Sequence, residues 1–107
     1  MPWCRMRDKI SDDFTKIIRN QLKNRLKKVV LFGSHARGDF TDGSDYDFLV
    51  IVDKREKRIK EIVLDASVKI MNRYSELVGC IVCDETEWER KKRFPIGLNI
   101  LKEGIEL

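Results

Sequence analysis

Asp45 and Asp47 are separated by a single residue in the run GSDYDFLV, residues 43–50. On a strand, residues two apart point to the same face with Cα atoms roughly 6.5 to 7 Å apart. Both carboxylates therefore project together, while Tyr46, Phe48, Val50 and Val52 face the other way. Two bare carboxylates repel, and the arrangement asks for a cation between them or an arginine nearby. Hard oxygen donors at this spacing suit Mg2+ or Mn2+, which bind nucleotide phosphates jointly with one or two carboxylates. A solvated strand entrance would use the same two residues. Upstream, Gly33 and Ser34 end an aliphatic run at a turn where backbone N–H groups can receive phosphate oxygens; glycine permits close approach and serine adds a hydroxyl. The P-loop pattern is absent, because the next glycine, Gly38, is followed by Asp39. Arg37 offers a planar charged fork to a phosphate or to a carboxylate, with Asp39 and Asp42 close by in sequence.

Two strands must bracket this segment. Val29-Val30-Leu31-Phe32, β-branched and closed by Gly33, reads as a buried strand, and Tyr46 to Val52 reads as a second. Before them, Ser11-Asp12-Asp13 supplies capping oxygens ahead of Phe14, Ile17, Ile18, Leu22 and Leu26, a stripe at helical spacing. Between Lys54 and Val78, the residues Ile59, Ile62, Val63, Ala66, Ile70, Tyr74 and Leu77 recur at threes and fours without Gly or Pro, which predicts a long helix. Leu77 to Cys83 resumes a strand. Asp84 followed by Glu87 forms a capping box for a short helix through Trp88, stopped at Pro95. Pro95 to Lys102 gives one more short helix ended by Gly104, with Ile105-Glu106-Leu107 as a short edge strand. This order predicts one α/β domain over residues 1–107, in two or three layers, around a small mixed β-sheet of three or four strands packed with helices.

Composition narrows the function. No run approaches the roughly 18 apolar residues of a membrane span, and Met1 to Arg7 lacks the apolar core of a signal peptide. A cytoplasmic protein away from membranes is expected. Of the three cysteines, Cys4 stands near a terminus and Cys80 and Cys83 form CIVC. Residues three apart on a strand face opposite sides and no second pair exists, so these two read as small buried hydrophobes rather than zinc ligands. Lys and Arg number 22 against 18 Asp and Glu, a formal net charge of +4 that suits phosphate-bearing or acidic partners. The run Lys91-Lys92-Arg93 reads as a solvated helix face; without interleaved aromatics, direct nucleic-acid binding is not supported. His35 reads as an exposed loop residue and Trp88 as an isolated aromatic.

Together the pieces are more specific. Gly33-Ser34, ten intervening residues and Asp45-x-Asp47 resemble the nucleotidyltransferase superfamily that includes DNA polymerase beta. The whole segment GSHARGDFTDGSDYDFLV, residues 33–50, resembles the signature of the minimal nucleotidyltransferases. The resemblance implies a nucleotidyltransferase fold with ATP as substrate. It assigns Gly33, Ser34, Arg37 and Ser44 to the nucleotide, with Gly33 and Ser34 on its β and γ phosphates. It makes Asp45 and Asp47 the catalytic pair and the ligands of Mg2+ or Mn2+. The implied reaction is in-line attack of a hydroxyl on the α-phosphorus with release of pyrophosphate.

One position departs from the family. Active members usually carry a third carboxylate on a later strand, and in LVGCIVCDETEW that place is held by Gly79. Asp84 and Glu76 are the nearest carboxylates, but they read as a helix cap and a helix-end surface charge. Minimal nucleotidyltransferases are commonly encoded beside all-helical HEPN proteins and serve as antitoxins to these RNases, in some cases by adenylylating them. Two classes follow: an adenylyltransferase acting on a HEPN-type partner, and a catalytically weak nucleotide-binding module that covers such a partner by binding alone. A homo-oligomer is left open.

Overall fold

The stripe Phe14, Ile18 and Leu22 folds as helix α1 (Lys9–Leu22) in the computed structural model, which describes residues 9–41 and 43–107. The readings of Cys4 and Asp42 lie outside these residues. The helix differs from its sequence reading at both ends. Ser11 is buried inside α1, at 1% exposure, rather than capping it, and Leu26 opens strand β1 (Leu26–Phe32). Between them the chain turns through a 3-10 segment at Lys23–Arg25, where Lys23 adopts a left-handed φ of 51° that stops the helix.

The remaining elements are α2 (Ser34–Arg37), β2 (Tyr46–Val52), α3 (Lys57–Tyr74), β3 (Val78–Asp84), α4 (Glu85–Lys91), α5 (Pro95–Glu103) and β4 (Ile105–Glu106). Leu77, placed in the long helix by its spacing, lies beyond it: Ser75 turns left-handed at φ 57° and ends α3, leaving Leu77 exposed. The sheet runs β3-β2-β1-β4. Strand β1 is antiparallel to β2 and β4, and β2 is parallel to β3, with α3 as the crossover that a parallel pair requires. This is the mixed sheet of the expected α/β class, at the upper of the expected strand counts.

Helices α1 and α3 cover one face. Phe14, Ile18, Ile59, Val63 and Ile70 pack on Val29, Leu31, Phe48, Val50 and Val52, and the Phe14 and Phe48 rings stack at 4.2 Å. The other face is covered only in part, by α4 and α5. There Trp88 and Ile100 pack on Val30, Leu49, Ile51 and Cys83, so Trp88 anchors a second core rather than standing alone. The α4 cap is formed as read: Asp84 accepts from the Glu87 amide at 2.8 Å, and Glu87 accepts from the Asp84 amide at 2.9 Å. Helix α5 approaches α4 so closely that any side chain at Gly97 would meet the Lys91 carbonyl. Burial pushes the Cys80 and Cys83 thiols up to about 11, which suits small hydrophobes and not reactive thiolates. Among the described residues no helix is long and apolar enough to cross a membrane.

Candidate active site

Alternation along β2 sends Phe48, Val50 and Val52 into the α1/α3 core and Leu49 and Ile51 toward α4 and α5. Asp47 therefore belongs to the α4/α5 side, at the end of the sheet that Trp88 and Ile100 do not reach, and Asp45 lies in the loop just before β2, near enough for its charge to act on Asp47. The register sets Asp47 opposite Phe32 of β1 and opposite Gly79 of β3. Gly33 follows Phe32 directly. Its φ of 80° favours glycine, and a Cβ built there would collide with Asp47 Oδ2. The glycine turn and the carboxylate are thus brought into contact by the β1/β2 pairing, although 14 residues separate them in sequence (47 − 33).

Among the described residues, neither Asp45 nor Asp47 accepts a hydrogen bond or forms an ion pair, and the Ser34 hydroxyl has no partner either. Partial burial pushes the Asp47 carboxyl above the ordinary carboxylate range, and the charge of Asp45 pushes it further, against the opposing pull of His35 and Arg37. Arg37 does not pair with the two aspartates. Its Nε donates to Asp39 at 3.1 Å and its Nη1 to Glu103 at 3.2 Å, which ties the glycine turn to the end of α5. Ser44 accepts from the Thr41 amide at 2.9 Å and folds the loop that precedes Asp45.

His35 departs from its sequence reading. Its ring is half-buried between Phe40 and Tyr46, with centroid separations of 4.4 and 3.7 Å, and its Nε2 lies 3.2 Å from the Ser44 carbonyl. The imidazole therefore braces the loop rather than standing free. Sequence reasoning missed this stack and the Glu103 contact. The one signal for the stack was an aromatic, Phe40, inside an otherwise polar turn; Glu103 lies 66 residues from Arg37 and gave no signal.

Two partnerless, mutually repelling carboxylates near each other fit a divalent cation, and hard oxygen donors fit Mg2+ or Mn2+. Among the described residues no third His, Cys, Asp or Glu completes a cluster. Gly79 stands in the adjoining place, exposed, and a Cβ there would lie 3.6 Å from Asp47 Oδ1, an ordinary contact. Asp84 is committed to the α4 cap, and Glu76 precedes β3.

Comparison with known proteins agrees with this geometry. Residues 12–103 match the family model described as nucleotidyltransferase domain. A Methanocaldococcus jannaschii protein named provisionally as a protein adenylyltransferase is 32% identical over 97 residues, which are 91% of this chain and 93% of that protein. Among solved structures, a spectinomycin adenyltransferase from Enterococcus faecialis, with ATP and spectinomycin, superposes with a TM-score of 0.62 and 26% identity. The match covers 73% of this chain and 34% of that one, so the chain spans about a third of that enzyme. One chain of the complex of tri-AMPylated Shewanella oneidensis HEPN toxin with MNT antitoxin shares the fold, with a TM-score of 0.50 and 16% identity over 91% of this chain and 70% of that one. With the family model covering most of the chain, and a curated relative of nearly equal length, the chain belongs to the nucleotidyltransferase domain family.

Proposed function

We propose that the chain transfers AMP from ATP to a hydroxyl of a HEPN-type helical protein and so acts as its antitoxin. The observation that carries the reading is the pair Asp45 and Asp47, without protein partners, beside the glycine turn at the bare end of the sheet. These two carboxylates would hold Mg2+ or Mn2+, which when bound neutralises phosphate charge. Gly33 admits the triphosphate to the backbone, and Ser34 is left with a hydroxyl to donate to it. Arg37, engaged with Asp39 and Glu103, fixes the turn, and Ser44 shapes the loop on the nucleotide side. In the reaction the acceptor oxygen bonds to the α-phosphorus, the bond from that phosphorus to the pyrophosphate oxygen breaks, and the hydroxyl proton is given up to solvent. Positioning and charge supply the rate; no covalent intermediate with the chain is needed. The curated adenylyltransferase relative and the AMPylated complex support a protein as acceptor.

Gly79 favours a second reading. With two carboxylates in place of three, the attacking hydroxyl is less well activated, and the chain would neutralise its partner chiefly by binding. Incubation with a HEPN-type helical protein from the same genome, α-labelled ATP and Mg2+ separates the two. Label on the partner, lost in Asp45→Asn/Asp47→Asn, supports transfer; a stable complex with no label supports binding alone. If calorimetry finds the same weak ATP binding in wild type and in the double variant, the nucleotide site at Asp45 and Asp47 falls, and the transfer reading with it.

A further inference from the structure

We infer that the outward side of α5 docks an α-helix of the protein partner, one with an apolar stripe and acidic flanks; this rests on the adenylyl-transfer reading above. Phe94, at the N-cap of α5, with Leu98 and Leu101, recurs at i, i+4 and i+7, the spacing that lines one side of a helix. Gly97 and Ile100 are buried against the molecule, whereas these three stand 61%, 54% and 56% exposed. Contiguous apolar surface of this kind marks an interaction site, and its spacing is the one that receives the ridge of a second helix.

Charge fixes the kind of helix. Arg93 and Lys102 flank the stripe in sequence and Arg90 lies one turn earlier in α4, all exposed and, among the described residues, in no ion pair. The neighbouring acids are already engaged: Glu89 lies 2.8 Å from Lys92, and Glu103 lies 3.2 Å from Arg37. Acidic flanks on the partner would steer it to this surface and set its register. A second copy of this chain would bring the same basic residues against one another, which disfavours self-association through this face. The placement also matches the chemistry, because α5 packs on the sheet face that carries Asp47, and its end is tied to the glycine turn through Glu103 and Arg37. A protein held on α5 is held on the side where the α-phosphorus would be offered.

The test is binding of a HEPN-type helical protein from the same genome to the full chain and two variants, Leu98→Asp/Leu101→Asp and Arg90→Glu/Arg93→Glu. Calorimetry at low and high salt reads the partner, and ATP binding with Mg2+ is measured on each protein in parallel. The leucine variant should lose roughly tenfold or more in partner affinity. The arginine variant should weaken and lose most of its salt dependence. Both should bind ATP as wild type does, which also shows that they remain folded. Full partner binding by the leucine variant overturns the α5 surface and leaves the transferase reading intact, while no binding by wild type overturns both. Wild-type self-association abolished by the leucine variant assigns this face to a second copy and overturns the proposal.

Discussion

On the α1/α3 side of β2, Tyr46, Phe48, Val50 and Val52 are all 6% exposed or less. On the opposite side, the same strand brings Asp47, half-buried, and only afterwards the buried Leu49 and Ile51, while Asp45 stands exposed in the loop just before it. One seven-residue strand thus serves two purposes, divided by odd and even positions. The even positions hold the fold together. The first odd position is left bare because α4 and α5 cover only the farther end of that face. The difference shows how a chain of 107 residues keeps a stable core while leaving two like charges near each other: the packed core and the proposed site fall on opposite sides of one element.

The sharpest way to break this comparison is to truncate one residue from each face. Phe48→Ala removes a ring that stacks on Phe14 and should cost roughly 3–5 kcal/mol in urea denaturation. Asp45→Asn/Asp47→Asn should stay within about 0.5 kcal/mol of wild type or be more stable, because it removes repulsion and no contact. A double variant that unfolds as readily as Phe48→Ala would show that the carboxylates are structural. Gly33 and Gly38 make a finer pair. Both hold positive φ, at 80° and 88°, but a Cβ at Gly38 meets nothing within 4 Å while one at Gly33 strikes Asp47. Gly38→Ala should cost about 1 kcal/mol of backbone strain and leave ATP binding in place. Gly33→Ala should cost more and also weaken ATP binding with Mg2+ by about tenfold or more, since the displaced carboxylate belongs to the site. Equal effects at the two glycines would remove the contact between turn and carboxylate from the account.

Much of this was legible in the sequence, and the residues show why. Strand β2 was read with its observed ends, because it is a continuous, β-branched apolar run bounded by a charged loop; α3 and the Asp84/Glu87 cap were equally local signals. The ends of α1 were not legible. Leu26 continues the helical spacing, and only the left-handed turn at Lys23, at a residue type that does not announce one, diverts it into β1. The resemblance put Gly79 at the place of the third carboxylate, and the register sets it opposite Asp47. His35 was misread because its partners, Phe40 and Tyr46, become neighbours only once the loop folds back on itself. Trp88 was misread for the same reason: the core it fills is assembled from β1, β2, β3 and α5.

The last comparison concerns Gly79, the point at which the bare face stops short of a three-carboxylate site. A Cβ at this position lies 3.6 Å from Asp47 Oδ1, so Gly79→Asp introduces a carboxylate beside the other two without a steric clash. Its consequences run in opposite directions with and without a cation. Asp47 already has a folded-state pKa raised above its ordinary value of 3.8, first by burial and then by the charge of Asp45. A carboxyl raised in the folded state contributes stability that is fully present below the unfolded pKa and is lost as pH rises through the folded one. A third negative charge raises Asp47 further, so at neutral pH the metal-free variant should melt below wild type, and the gap should close as the pH is lowered through the carboxylate range. Mn2+ should reverse the order, because three oxygens hold it better than two, with an affinity gain of roughly tenfold over wild type. Melting curves at pH 7 and at pH 4, with and without Mn2+, check all four corners. If Gly79→Asp melts like wild type at both pH values and gains nothing from Mn2+, the new carboxylate does not face Asp45 and Asp47. The missing ligand would then have to be sought outside β3.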